Sequence, residues 1–133
     1  MLRTSLFKQT LTLLFVIAAL DVVASIFYLH WTLWWFDIVL HFLAGAAVSM
    51  ALIVIWQNIS NHLEFNKLKE ILMLVLGTLL IGLLWEIFEL FFDITSFSDG
   101  IFYWRDTFSD LIMDICGGFF GALYSFKLLS KNV

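Results

Sequence analysis

Proline is absent from this 133-residue sequence, and it contains a single cysteine, Cys116. Without proline no helix is obliged to kink, and no Pro-rich linker divides the chain. One cysteine excludes an internal disulfide and a cysteine metal cluster. Charge is scarce as well: 14% of residues are Asp, Glu, Lys or Arg, where a soluble domain carries about a quarter. The net charge of −4 offers nucleic acid no basic surface, so nucleic acid is not expected as a partner. Several enzyme signatures are missing too: Gly-x-Ser-x-Gly, His-Glu-x-x-His and a phosphate-binding loop.

What the chain does have is hydrocarbon. Hydrophobic residues make up 62% and aromatics 18%. An α-helix crosses a bilayer with about 20 mostly apolar residues. Four segments meet that length, at about 6–29, 38–56, 71–94 and 107–129. They are too long for strands and lack the alternation of a membrane barrel. The breaks are "HWTLWWFD", "QNISNHLEFNKLKE" and "TSFSDGIFYWRD", and no internal repeat is evident. The expectation is an all-α polytopic membrane protein, a bundle of four transmembrane helices forming one membrane domain over residues 1–133. Arg3 and Lys8 before residues 11–20, with Val22-Val23-Ala24 beyond, resemble a secretion signal. The apolar stretch runs on through Tyr28, past the usual length of such a signal, so it reads as a membrane helix.

Lys and Arg set the orientation. Arg3, Lys8, Lys67, Lys69, Lys127 and Lys131 fall on one side and Arg105 alone on the other. That places both termini and the middle loop in the cytoplasm. Trp31, Trp34, Trp35, Tyr103 and Trp104 then form an outer aromatic belt, and Trp56 marks the inner end of the second helix.

With this orientation the acids fall at one depth. Asp37 and His41 open the second helix; Glu86, Glu89 and Asp93 close the third; Asp106, Asp110 and Asp114 open the fourth; Asp21 is near the outer end of the first. They also share faces, because residues three, four and seven apart lie on one side of a helix. The stripes read Asp37-His41-Gly45-Ser49, Gly82-Glu86-Glu89-Asp93 and Asp106-Asp110-Asp114-Gly117-Gly121. Each is ionisable toward the outside and small toward the cytoplasm, and small residues let helix backbones approach closely. Gly45, Gly82, Gly117 and Gly121 are therefore candidate packing positions.

Energetics turn this pattern into a constraint. A carboxylate at mid-bilayer costs about 2.5–3.5 kcal/mol on insertion scales. Glu86, Glu89, Asp110 and Asp114 facing lipid would together cost on the order of 10 kcal/mol, which rivals the stability of a small protein. They must face inward and be neutralised, yet Arg105 is the one permanent cation on that side. Protonation, a bound cation or water remain. Glu86, Glu89, Asp110, Asp114 and His41 are candidate ligands for Mg²⁺, Ca²⁺, Mn²⁺ or Zn²⁺, since oxygen-rich sets with one imidazole suit such ions. Asp37 and His41, one turn apart, are a candidate carboxylate–imidazole base. Arg105 with Asp106 is a candidate clamp for a phosphate-bearing headgroup. Two plainer readings stand beside these. The acids form a protonated network that keeps the helices in register, or Glu86, Glu89 and Asp110 titrate in turn within a proton or cation carrier. His30 and His62 read as interfacial and solvated, Asp93 and Asp99 as solvated, Trp85 as packing and Cys116 as inert.

Three stretches are similar to a known family. "WWFDIVLHFLAG" resembles the Asp-x-x-x-His-Phe opening of the VanZ-like membrane proteins; "LLWEIFELFFD" resembles their acidic third helix; "RDTFSDLIMDICGGFFG" resembles their closing Arg…Asp…Gly helix. The likeness spans residues 34–124 and is closer to the YjdF-type branch, with its Trp-Glu-x-x-Glu and Asp-Thr-x-x-Asp-Leu-x-x-Asp patterns. Glu89 stands where VanZ proteins tend to have Gln and Asp114 where they tend to have Asn, so this site is the more acidic. The resemblance implies a small multi-pass protein of the bacterial cytoplasmic membrane, acting in the cell envelope. The expected partners are the lipid bilayer and a lipid-linked or phosphorylated ligand, with oligomers compatible; the alternatives are the carrier and a structural or assembly protein without turnover.

Overall fold

The computed structural model describes residues 2–59 and 67–130, apart from the side chains of residues 2–4 and of Trp31. His62, Lys131 and the side chains of Arg3 and Trp31 lie outside the described residues. Four long helices account for most of the chain: α1 (Leu2–Ile26), α3 (Trp34–Ile59), α4 (Lys67–Phe91) and α5 (Ile101–Ser130). A short helix, α2 (Leu29–Thr32), joins α1 to α3, and a 3₁₀ turn (Phe97–Asp99) precedes α5. All four long helices are long and apolar enough to cross a membrane. This is a four-helix polytopic membrane protein.

The helices start earlier than the segments expected from hydropathy, and α1 and α4 also stop three residues short of them, at Ile26 and Phe91. α3 begins four residues earlier, at Trp34, and α5 six residues earlier, at Ile101. Thus much of "HWTLWWFD" and the second half of "TSFSDGIFYWRD" are helical rather than loop. A helix propagates until something stops it. The stop before α5 is Gly100, with a φ of 61°, not the polar pair Arg105-Asp106. At 1.5 Å per residue, α5 is about 45 Å long against a hydrocarbon core of about 30 Å. It is therefore longer than a perpendicular crossing needs.

Two helices end in the left-handed conformation. Tyr28 has a φ of 56° and Asp93 a φ of 55°. At Asp93 the two hydrogen bonds of a Schellman cap are both present, Ile94 N donating to Glu89 O at 2.9 Å and Asp93 N to Leu90 O at 3.4 Å. Asp tolerates this conformation better than most residues. Asp93 thus lies past the end of α4, exposed, rather than on the helical stripe with Glu86 and Glu89.

α3 is the axis of the bundle. In its most apolar window 44% of residues are buried inside the protein, against 11% in α1. α3 and α5 run in the same direction and meet backbone to backbone. A side chain at Gly117 would strike the carbonyl of Phe42, one at Gly121 the backbone of Ala46, and one at Gly45 the backbone of Asp114. Without a side chain at these positions the two helices touch, where dispersion is the available attraction inside lipid. α4 crosses α5 in the opposite sense, with Gly118 against Thr78 and Gly82 against Asp114. Toward the inner end an apolar cluster of Leu6, Met50, Ile53, Val54, Leu74 and Ala122 fills the interior. Outward-facing side chains such as Phe15, Leu76 and Ile87 are exposed, as lipid-facing residues must be.

Two measurements check this account. Gly117→Ala should destabilise the detergent-solubilised protein by about 1–3 kcal/mol, because the new methyl meets rigid backbone. Gly77→Ala meets only the end of the Leu52 side chain and should cost less; thermal melts that rank the two in reverse would contradict the packing. For orientation, a cysteine placed at Ser98 should react with a membrane-impermeant maleimide on intact cells. A cysteine at Ser130 should react only after lysis.

Candidate functional site

α3, α4 and α5 bring their outer-half polar residues to a common centre. Asp37 lies in the first turn of α3 and His41 one turn on; Asp110 lies on α5. One ligand atom from each of these three lies within 4.8 Å of the others. Two ligands of one ion, each at about 2.0–2.4 Å, are at most about 4–5 Å apart. The three groups are therefore spaced to share an ion.

Asp37 is half-buried, and the groups on its inner side are closed off. Asp110 is 3% exposed, Asp114 and Glu86 4%, and His41 8%. Asp114 Oδ1 lies 3.4 Å from Nδ1 of His41. The other oxygen of Asp114 occupies the space that a side chain at Gly82 would fill. So the glycine of α4 is what admits this carboxylate to the interior. Glu86 Oε2 accepts a hydrogen bond from Thr107 Oγ1 at 2.7 Å. Its second oxygen, Oε1, is buried with no hydrogen-bond partner among the described residues. A buried carboxylate oxygen without a partner is costly and uncommon, and it is an open acceptor at this level of the bundle.

The remaining candidates lie further out. Glu89 is part-exposed and accepts from Trp85 Nε1 on its own helix at 2.9 Å, so Trp85 has a polar role besides packing. Asp106 and Arg105 are exposed on the first turns of α5, and Arg105 forms no salt bridge among the described residues. Asp106 lies within electrostatic reach of Asp37 and His41.

The partners of the imidazoles differ from those expected. Asp37 and His41 are neighbours, but the hydrogen-bond contact of His41 runs to Asp114, two helices on in sequence. Asp37 is instead held by His30, whose Nδ1 lies 3.3 Å from Asp37 Oδ1; His30 Nε2 lies 3.3 Å from Asp21 Oδ1. His30 is thus not a solvated interfacial residue. Periodicity could not reveal this, because α2 interrupts the helix between Asp21 and Asp37. Thr107 was missed in the sequence, although it lies three residues from Asp110 and so shares its face.

Nearer the inner end three buried hydroxyls turn back on their own helices, while Ser49 Oγ and Gln57 Oε1 are buried with no hydrogen-bond partner among the described residues. The hydroxyls of Thr10, Thr78 and Ser125 donate to the carbonyls of Leu6, Leu74 and Gly121 at 2.8–2.9 Å. Just inside the acidic centre, Gly45, Gly117 and Gly121 bring α3 and α5 into backbone contact.

No curated protein and no solved structure matches the chain. A family model does, over residues 2–131, and the chain belongs to that family, described as "Predicted membrane protein (DUF2238)".

Proposed function

We propose that this protein is a divalent-cation-binding protein of the bacterial cytoplasmic membrane, with its site opening to the extracytoplasmic side and acting in the cell envelope. The observation that carries the reading is the convergence of Asp37, His41 and Asp110 within 4.8 Å, with His41 and Asp110 buried and Asp37 half-buried. Asp114, engaging Nδ1 of His41, leaves Nε2 to bind an ion, in the carboxylate–imidazole–metal arrangement that fixes the ring and raises its basicity. Asp37 then serves as ligand rather than as the partner of a His41 base. Glu86, with one oxygen free of hydrogen bonds, is the fourth candidate. Glu89, paired with Trp85, is the weakest of the five first considered. Two carboxylates with one imidazole suit Mn²⁺, Mg²⁺ or Zn²⁺ better than a softer ion.

Carboxylates this close repel one another, and a divalent ion removes both the repulsion and the cost of burying charge. Such an ion has open positions where the protein supplies three or four ligands. A phosphate oxygen suits an open position, and Arg105, exposed on the first turns of α5, is the cation available to a second oxygen of the same group. This supports a phosphorylated or lipid-linked ligand approaching from the outer interface, in keeping with the VanZ-like and YjdF-type resemblance of the three motifs. The carrier reading is less well supported, because the glycine contacts of α3 and α5 and the apolar cluster lie directly on the inner side.

The test is metal content and linkage. Purified protein should hold a divalent ion, and Mn²⁺ at 100 times its dissociation constant should stabilise the fold by about 2.7 kcal/mol. Asp110→Asn and His41→Gln should each weaken binding by at least roughly 10–100-fold. Protein whose melting is unmoved by Mn²⁺ and by chelator would sink the cation reading. If Asp110→Asn also left the cellular phenotype intact, a structural role would stand in its place.

A further inference from the structure

His30 lies outside every candidate ligand set, yet it is built into the site. The chain reverses at Tyr28, whose φ of 56° ends α1, and α2 then carries His30 back between α1 and α3. One ring nitrogen faces Asp21 of α1 and the other faces Asp37 of α3, each at 3.3 Å. The ring meets Phe36 edge-on, with centroids 6.0 Å apart and planes at 86°. Its side chain is 23% exposed.

An imidazole with both nitrogens turned to carboxylates is poorly placed to ligate an ion itself. It is well placed to hold a ligand. Asp37 sits in the first turn of α3, half-buried at the edge of the bilayer. A free carboxylate there would rotate toward water. The contact from His30 takes one oxygen and fixes the rotamer, which leaves the other oxygen for an ion. Asp21 fixes the imidazole from the far side. Polar contacts behind a ligating carboxylate typically govern metal affinity as strongly as ten- to a hundredfold.

Resting on the cation reading, we infer that His30, braced by Asp21, is a positioning residue that presets Asp37 for the ion and so tethers the outer end of α1 to the site. No other standard side chain places a nitrogen at each of two opposite edges of one rigid ring. Glutamine carries its donors on one nitrogen and can hold only one of the two carboxylates well.

The experiment is Mn²⁺ binding to the full detergent-solubilised chain, followed by electron paramagnetic resonance. His30→Gln should weaken binding by roughly 10–100-fold. Asp21→Asn should weaken it in the same direction and by less. Asp93→Asn removes an equal charge from the same side, away from the site, and should change nothing. Spin-echo modulation from one imidazole nitrogen should persist in His30→Gln and vanish in His41→Gln, which separates holding a ligand from being one. Should His30→Gln fail to fold, Asp21→Asn against Asp93→Asn carries the comparison. Affinity within about twofold of the parent in His30→Gln, or an equal loss in Asp93→Asn, overturns the inference while the cation reading stands. A parent protein that binds no Mn²⁺ overturns both.

Discussion

Hydrocarbon has no means of solvating a carboxylate, and that constraint organises this molecule. Glu86, Asp110 and Asp114 lie within helices that must cross the bilayer, and each is at most 4% exposed. Three helices are therefore rotated so that their acids look at one another. The rest of the architecture follows from that rotation. The faces left outward are the apolar ones, and the exposed Phe, Leu and Ile side chains around the bundle are where a lipid solvent would want them. Acid-to-acid orientation is unfavourable by itself, so the interior must offset it with hydrogen bonds and close packing.

Glycine makes that possible in two ways. On the α3–α5 seam it removes side chains, so that backbones touch at Phe42, Ala46 and Asp114. On α4 it leaves a notch at Gly82 into which the Asp114 carboxylate fits. The first use is adhesion and the second is accommodation. Together they put His41 beside Asp114 and leave Asp37 and Asp110 facing the same point. The polar centre and the tight seam are thus one device: move the glycines and the carboxylates lose their geometry as well as their burial.

Much of the fold could be read from the chain directly. Four apolar stretches of sufficient length leave little choice but four helices, and i, i+4 spacing put Asp110 and Asp114 on the face of Gly117 and Gly121. Element ends were harder, because Trp34 and Ile101 begin helices in stretches that look like breaks. Hydropathy marks the hydrocarbon boundary, whereas a helix stops where its backbone does, at Gly100 or Asp93. The pairing of the site residues was harder still. Spacing predicts neighbours on one helix, so Asp37 with His41 was visible and His41 with Asp114 was not. Glu89 shares a stripe with Glu86, but its own helix supplies the Trp85 donor that satisfies it. His30 lies beyond any periodic argument, since a left-handed residue and a one-turn helix decide where it points.

α1 stands apart from the other three long helices. It leans on α3, touches α5 lightly, and among the described residues does not reach α4. Its buried positions are sparse, with Leu6 and Thr10 near one end and Ala24 near the other. A helix with so few interior contacts adds little to the cohesion of the remainder. The three long helices that follow α1 in the chain thus hold the acidic centre chiefly among themselves, and α1 lies against a bundle whose main contacts do not depend on it.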